Sequence, residues 1–272
     1  MFTRRNIIIA SAVLVVILGV ILWPKQRSQE VAAKTTMIDK DAQKIFDEAK
    51  ALEGTQSMLE AKTAYQRILT EYPDSENISQ IQGSLEELNM KIIFSNTQTP
   101  KTVIHEVVSG DTLGGIAKKY NTTVSLVKTS NALQSDVIRL GQKLRIWTGT
   151  FNIYVDKSQN ILILKDGDEV VKVYHVSTGK DNSTPVGTFK VTTKLIDPVW
   201  FNRGIVVPPE SPENVLGTRW LGFDIPGYGI HGTIEPETIG QQVTAGCVRM
   251  RNNEVEELYS IIPMGTEVTI VD

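Results

Sequence analysis

Cys247 is the only cysteine in the 272-residue chain. It stands in Thr244-Ala245-Gly246-Cys247-Val248-Arg249-Met250-Arg251-Asn252, sixteen residues after the histidine of Ile230-His231-Gly232-Thr233. A thiol is a strong nucleophile only as thiolate, and its unperturbed pKa of about 8.5 means that it needs a neighbouring base or cation near neutrality. His231 is the natural candidate. Glycines 232 and 246 allow close backbone approach to a substrate, and the amides of Gly246 and Cys247 can donate to the oxygen of a tetrahedral intermediate. These residue types outline an acyl-transfer site. The opposing reading is a buried thiol acting as a small hydrophobe, the commonest fate of a lone cysteine. With one cysteine and no closely spaced histidine pair, neither a zinc site nor any other cofactor is implied. His105 and His175 sit in strand-like stretches apart from any cluster.

The elements that must position this pair lie in a mainly β stretch from 150 to 272. Ile153 to Val155, Ile161 to Leu164, Val170 to Val176 and Gly187 to Thr193 read as strands separated by Gly, Asp, Asn and Pro. Asn252 to Ile261 is the one convincing helix there, and Val268 to Val271 is a closing strand. Upstream, residues 39–95 are helical, with apolar residues at three- and four-residue steps (Ile45, Ala49, Leu52; Ala61, Tyr65, Ile68, Leu69) and Pro73 as a stop. The spacing of Ala61, Tyr65, Ile68 and Pro73 resembles the second helix of a tetratricopeptide repeat. A single such hairpin cannot bury a continuous core, so a spacer and a docking site for a protein partner are both open. The polar run Asn96 to Lys101 reads as a linker, and 102–147 as a strand-helix-helix-strand unit in which Asp111 or Thr112 caps the first helix.

At the N-terminus, Arg4 and Arg5 precede an uncharged, largely apolar run from Ile7 to Trp23, which nearly spans a bilayer core. Residues 1–24 are therefore expected to be a short cytoplasmic tail and a transmembrane helix in the inner membrane, with the catalytic part in the periplasm or cell-wall space. A signal peptide cleaved after Val31-Ala32-Ala33 is the rival, but Pro24, Lys25 and Arg27 push that site far from the apolar run. In an exported chain cysteines generally come in pairs as disulfides, so a single one points to chemistry. A net charge of −3 offers no field for gripping nucleic acid.

The residues also carry two resemblances. His-Gly, a gap of this size, then Thr-x-Gly-Cys-Val-Arg-Met-x-Asn resembles the active-site signature of the L,D-transpeptidase catalytic domain. Val176 to Lys180, Thr184 to Val191 and Asn214 to Trp220 occur in that family's order. The resemblance implies a sandwich-like β domain in which Cys247 attacks the carbonyl preceding a terminal D-alanine of a peptidoglycan tetrapeptide stem. It further implies that His231 moves the protons, that the Gly232 carbonyl orients His231, that Gly246 with Thr244 and Ala245 forms the oxyanion and substrate loop, and that Arg249 binds a substrate carboxylate or braces that loop. Thr244 replaces the family's common serine and Ala245 its frequent cationic or histidine residue, which bears on substrate choice and rate. A thiol hydrolase of the wall (an L,D-carboxypeptidase) and an inactive wall-binding scaffold are the alternatives.

The segment His105 to Leu113, with Ile116-Ala117, Asn131 and Gly141 to Leu144, resembles a lysin motif. This implies that Gly110, Asp111, Thr112 and Leu113, together with Asn131, Ala132, Leu133 and Ile138, line a groove for glycan strands containing N-acetylglucosamine. The expected whole is a multidomain α+β chain: transmembrane helix, α-helical hairpin region, βααβ lysin motif and mainly β catalytic domain.

Overall fold

The computed structural model describes residues 37, 39–55, 57–202 and 204–272. The apolar run Ile7 to Trp23 lies outside these, and among the described residues no helix is long and apolar enough to cross a membrane. The chain divides into two compact units, one ending at Leu85 and one running from Glu86 to Asp272.

The first unit holds α1 (residues 39–54), α2 (Met58–Glu71) and the start of α3 (Ile78–Phe94). Three helices thus stand where a hairpin was expected. Ala49, Ala61, Tyr65 and Ile68 are fully buried, as the three- and four-residue steps require. Phe46 packs on the Tyr65 ring at 5.8 Å, and the Tyr65 hydroxyl donates to Glu53 at 2.5 Å. Beyond Pro73, the Glu76 amide donates to Asp39 and Asn77 donates to Gln43, which ties the turn before α3 back to α1.

In the second unit, β1 (Thr102–Glu106) pairs antiparallel with β2 (Lys143–Trp147), enclosing α4 (Leu113–Lys119) and α5 (Val124–Ser130). Leu113, Ile116, Val127, Leu144 and Ile146 form its core. Thr112 is the cap of α4, accepting from the Gly115 amide at 3.0 Å. Asp111 accepts from the Val108 amide at 2.8 Å and pairs with His105 Nε2 at 2.9 Å, so it braces the turn and leaves the capping to its neighbour.

The catalytic stretch comprises β3 (Phe151–Asp156), β4 (Ile161–Asp166), β5 (Glu169–His175), β6 (Thr178–Gly179), β7 (Gly187–Ile196), β8 (Trp200–Asn202), β9 (Ile205–Val207), β10 (Arg219–Phe223), β11 (Gly229–His231), β12 (Gln242–Thr244), β13 (Val248–Arg249), α6 (Asn252–Ile261) and β14 (Glu267–Val271). Eight of these strands form one mixed sheet in the order β13-β11-β10-β7-β14-β3-β4-β5. The expected sandwich is replaced by a single curled sheet for a local reason. The first part of β7, Gly187 to Lys190, pairs with β14, and the rest, Val191 to Ile196, pairs with β10. One long strand therefore serves both halves, and the irregularity at Gly222/Phe223 bends its partner. Val255, Leu258 and Ile261 on one face of α6 are fully buried, and the helix packs on β10 and β11.

The polar run Asn96 to Lys101 is packed rather than free. Arg145, buried in β2 without a carboxylate partner among the described residues, donates to the carbonyls of Thr97, Ile93 and Ile92 at 2.8, 2.8 and 3.0 Å, closing the C-terminus of α3. Burial lowers its pKa to about 10, so it stays charged at neutrality. Lys101 bonds to Asp166 and Glu169, Trp147 stacks on Phe151 at 6.1 Å, and the Thr123 hydroxyl donates to the Ser260 carbonyl. Arg145→Met should strand three carbonyls at a cost of roughly 3 kcal/mol, lowering the melting temperature by about 5–10 °C in scanning calorimetry. An unchanged melting temperature would show that this guanidinium holds nothing together.

Candidate active site

Two short strands place the histidine beside the cysteine. β11 pairs parallel with β13, with Ile230 opposite Val248 and His231 opposite Arg249. Because side chains alternate along a strand, Ile230 and Val248 enter the core at 0% exposure, while His231, Arg249 and the preceding Cys247 belong to the other face. The cysteine loop is held from its far side as well. Ser177 and Arg249 exchange both backbone hydrogen bonds at 2.8 Å, and β6 pairs with β12, setting Thr244 opposite Gly179. This explains the Val176 to Lys180 segment. A Cβ at Gly179 would fall 2.9 Å from the Gly246 Cα and closer still to Ser183 and Thr184.

Gly246 has φ +132, a conformation that L side chains rarely adopt, and a Cβ there would meet the Tyr228 ring at 2.7 Å. The Thr244 hydroxyl donates to the Cys247 carbonyl at 2.6 Å and accepts from the Gly246 amide at 3.2 Å. Threonine thus does its work through the hydroxyl that a serine would also supply. Ala245 is exposed, where its missing side chain leaves the loop's bonding intact.

The imidazole of His231 is 3% exposed. Its Nδ1 lies 2.6 Å from the Gly232 carbonyl oxygen, which can only accept, so Nδ1 carries the proton and Nε2 the lone pair. Trp220, its register partner on β10, stacks on the ring at 6.0 Å. Burial, opposed by the Gly232 bond and assisted by the Arg249 charge, lowers the imidazole pKa to about 4. The Cys247 thiol donates to the Gly227 carbonyl at 3.5 Å. Burial pushes its pKa up to about 11, against the opposing pull of the Gly229 amide and Arg249. Both groups are therefore neutral at pH 7, and among the described residues no hydrogen bond joins them.

Arg249 is also buried. Its Nη1 donates to Glu235 at 2.8 Å and to the Thr238 hydroxyl at 2.9 Å, while its Nε has no hydrogen-bond partner among the described residues. Of the two roles raised for it, loop bracing is the one these contacts make. Tyr228, Glu235 and Thr238 were absent from the sequence reading. Trp220 lay in a quoted segment, but nothing local marked it as a neighbour of His231. Among the described residues no group of His, Cys, Asp and Glu could hold a metal ion.

In the lysin-motif unit, Leu113 belongs to the core and Leu133 and Ile138 pack against it. Asn131 spends its amide on Val127 and Arg145: Nδ2 donates to both carbonyls at 2.8 Å and Oδ1 accepts from the Arg145 amide at 2.7 Å. Gly110 (φ +92) and Ala132 (φ +52) are turn residues. Ala132 and Leu133 line an open cleft with Lys128, Gln134 and Asp136. Val137 and Leu140, about three-quarters exposed beside a second cleft, were not singled out in the sequence.

A family model described as the L,D-transpeptidase catalytic domain matches residues 150–270, and one described as the LysM domain matches residues 105–147. YqjB of Bacillus subtilis, whose name places it among the L,D-transpeptidases, is 44% identical over 126 residues, covering 44% of this chain and 70% of that protein. YkuD of the same organism, named likewise, is 33% identical over 174 residues, covering 61% of this chain and 97% of its own. A solved L,D-transpeptidase from Mycobacterium smegmatis matches with a TM-score of 0.40 at 20% identity, covering 48% of this chain and 64% of that one. With nearly the whole of YkuD spanned at that identity, and with a histidine, a cysteine and their loop assembled on paired strands, the chain belongs to the L,D-transpeptidase family and carries a LysM domain ahead of its catalytic domain.

Proposed function

We propose that the enzyme transfers the acyl group of a peptidoglycan tetrapeptide stem through a thioester on Cys247, with His231 as its general base and acid. The observation that carries this is the Nδ1 bond to the Gly232 carbonyl, which leaves the Nε2 lone pair without a hydrogen bond among the described residues, on a buried ring beside the cysteine strand. With the thiol near 11 and the imidazole near 4, the resting pair is neutral. The proton would therefore leave Sγ for Nε2 as the carbon–sulfur bond forms, rather than beforehand.

In that step Sγ attacks the carbonyl preceding the terminal D-alanine, and the developing oxyanion is held by the Cys247 amide. The Gly246 amide joins it by giving up its long bond to Thr244. His231 then protonates the departing D-alanine nitrogen as the carbon–nitrogen bond breaks, leaving the thioester. An acceptor amine attacks the thioester carbonyl and gives its proton to Nε2; the carbon–sulfur bond then breaks, and that proton passes to Sγ to restore the thiol. Arg249 would keep the loop in register through Glu235 and Thr238, as a positioning residue. The LysM domain would hold glycan strands close to the catalytic domain. The apolar run Ile7 to Trp23 supports an inner-membrane anchor, with the catalytic part in the periplasm or cell-wall space. Sequencing the N-terminus of membrane-extracted protein tests that, since a start at Lys34 would mean release.

A carbapenem reports the acylation step, because its strained amide imitates the donor carbonyl. Intact-mass spectrometry should show one adduct on the wild type and none on Cys247→Ala. For His231→Ala the adduct should form at least about 100-fold more slowly at pH 7. Because the folded-state thiol pKa is raised, its thiolate fraction then grows about tenfold per pH unit up to about 11, so the variant's rate should still be climbing at pH 10, past the 8.5 of a free thiol. An adduct on Cys247→Ala, or a wild-type rate for His231→Ala at pH 7, would rule out this nucleophile and base.

A further inference from the structure

We propose that Asn252 is the positioning residue for His231, acting through the Gly232–Thr233 peptide group. The inference rests on His231 being the base. The carbonyl that accepts from His231 Nδ1 at 2.6 Å is one end of that peptide. The other end, the Thr233 amide, donates to Asn252 Oδ1 at 2.9 Å. A peptide unit is planar because its C–N bond has partial double-bond character, so a grip on its N–H fixes the direction of its C=O. An amide that is itself donating also makes its carbonyl a stronger acceptor, because successive hydrogen bonds polarise one another. Asn252 thus aims and strengthens the acceptor that keeps the imidazole proton on Nδ1.

The same oxygen accepts from the Thr218 amide at 3.3 Å, so it also holds the segment leading into β10. The surrounding backbone is shaped around this one atom. A Cβ at Gly232 would lie 2.1 Å from Asn252 Oδ1, and one at Gly217, where φ is +62, would lie 2.2 Å from it and 2.4 Å from the Thr233 nitrogen. Asn252 opens α6, yet its oxygen serves Thr218 and Thr233 and none of the helix's own amides. Its position five residues after Cys247 has a consequence for the reaction. The histidine's loop is pinned to the cysteine's own stretch of chain, so the two reacting groups share one anchor.

The chain has only three histidines, which makes the imidazole tautomer directly readable by nitrogen-15 NMR on the full protein. In the wild type, His231 should carry its proton on Nδ1. In Asn252→Ala the ring should populate the Nε2–H form, and the carbapenem acylation rate at pH 7 should fall by about 10- to 100-fold, as expected for misplacement of a reacting group. Asn252→Asp keeps the accepting oxygen and should retain both the Nδ1–H signal and acylation within about threefold of wild type. If Asn252→Ala does not fold, Asn252→Ser takes its place, its hydroxyl being too short to span to Thr233. A wild-type tautomer in the truncated variant overturns the proposal whether or not the rate falls, as does failure of the aspartate to rescue. If instead His231→Ala acylates like wild type, the assignment of the base has failed, and the tautomer readout still decides the role of Asn252.

Discussion

The active site depends on a two-residue parallel pairing. β11 and β13 contribute only Ile230 to Val248 and His231 to Arg249, but that register drives two aliphatic side chains into the core and fixes which face carries the chemistry. A one-residue slip would exchange the faces, burying the histidine's neighbours and expelling the aliphatic pair. So short a ladder cannot hold register by itself. It is held by the Ser177–Arg249 bridge on one side, by β10 on the other and by α6 behind, each of which fills or bonds to the same few residues. The curled sheet follows from this requirement, because β7 must carry both the closing strand β14 and the site strand β10.

Burial sets the chemistry. Burial of His231 and half-burial of Cys247 push their pKa values apart in the direction that keeps both neutral, leaving the imidazole unprotonated. The cost is that the thiol is not held as a thiolate in advance. In the mechanism we propose, reaction is then tied to the arrival of a carbonyl whose developing oxyanion the loop amides can meet, and Arg249, the buried charge beside both groups, lowers both pKa values.

Much of this was legible in the sequence, for identifiable reasons. The strands β3, β4, β5 and β14 and the helix α6 announced themselves by periodicity, and the lone cysteine with its flanking glycines and upstream histidine marked the pair that we propose reacts. What stayed hidden were interactions between residues far apart in the chain. Trp220 over His231, Glu235 under Arg249 and the sharing of β7 between two partners leave no mark on local spacing. Asn252 stood in the quoted signature, but only coordinates reveal that its oxygen serves Thr233. The run from Asn96 to Lys101 looked like a free linker because Arg145, which grips Thr97, lies 48 residues away. Asp111 and Thr112 were indistinguishable as caps, since both side chains can bond a nearby amide. The pull of His105 on Asp111 decided between them.

The central claim is that Cys247 takes an acyl group from one stem and gives it to an amine. The direct measurement is mass spectrometry of products after incubating the chain from Thr36 onward with purified disaccharide tetrapeptides. The account predicts dimers whose mass equals two substrates less one alanine, formed only when Cys247 is present. Release of alanine from every donor with no dimer and no exchange of added D-amino acids would contradict it, because water rather than an amine would then be the acceptor.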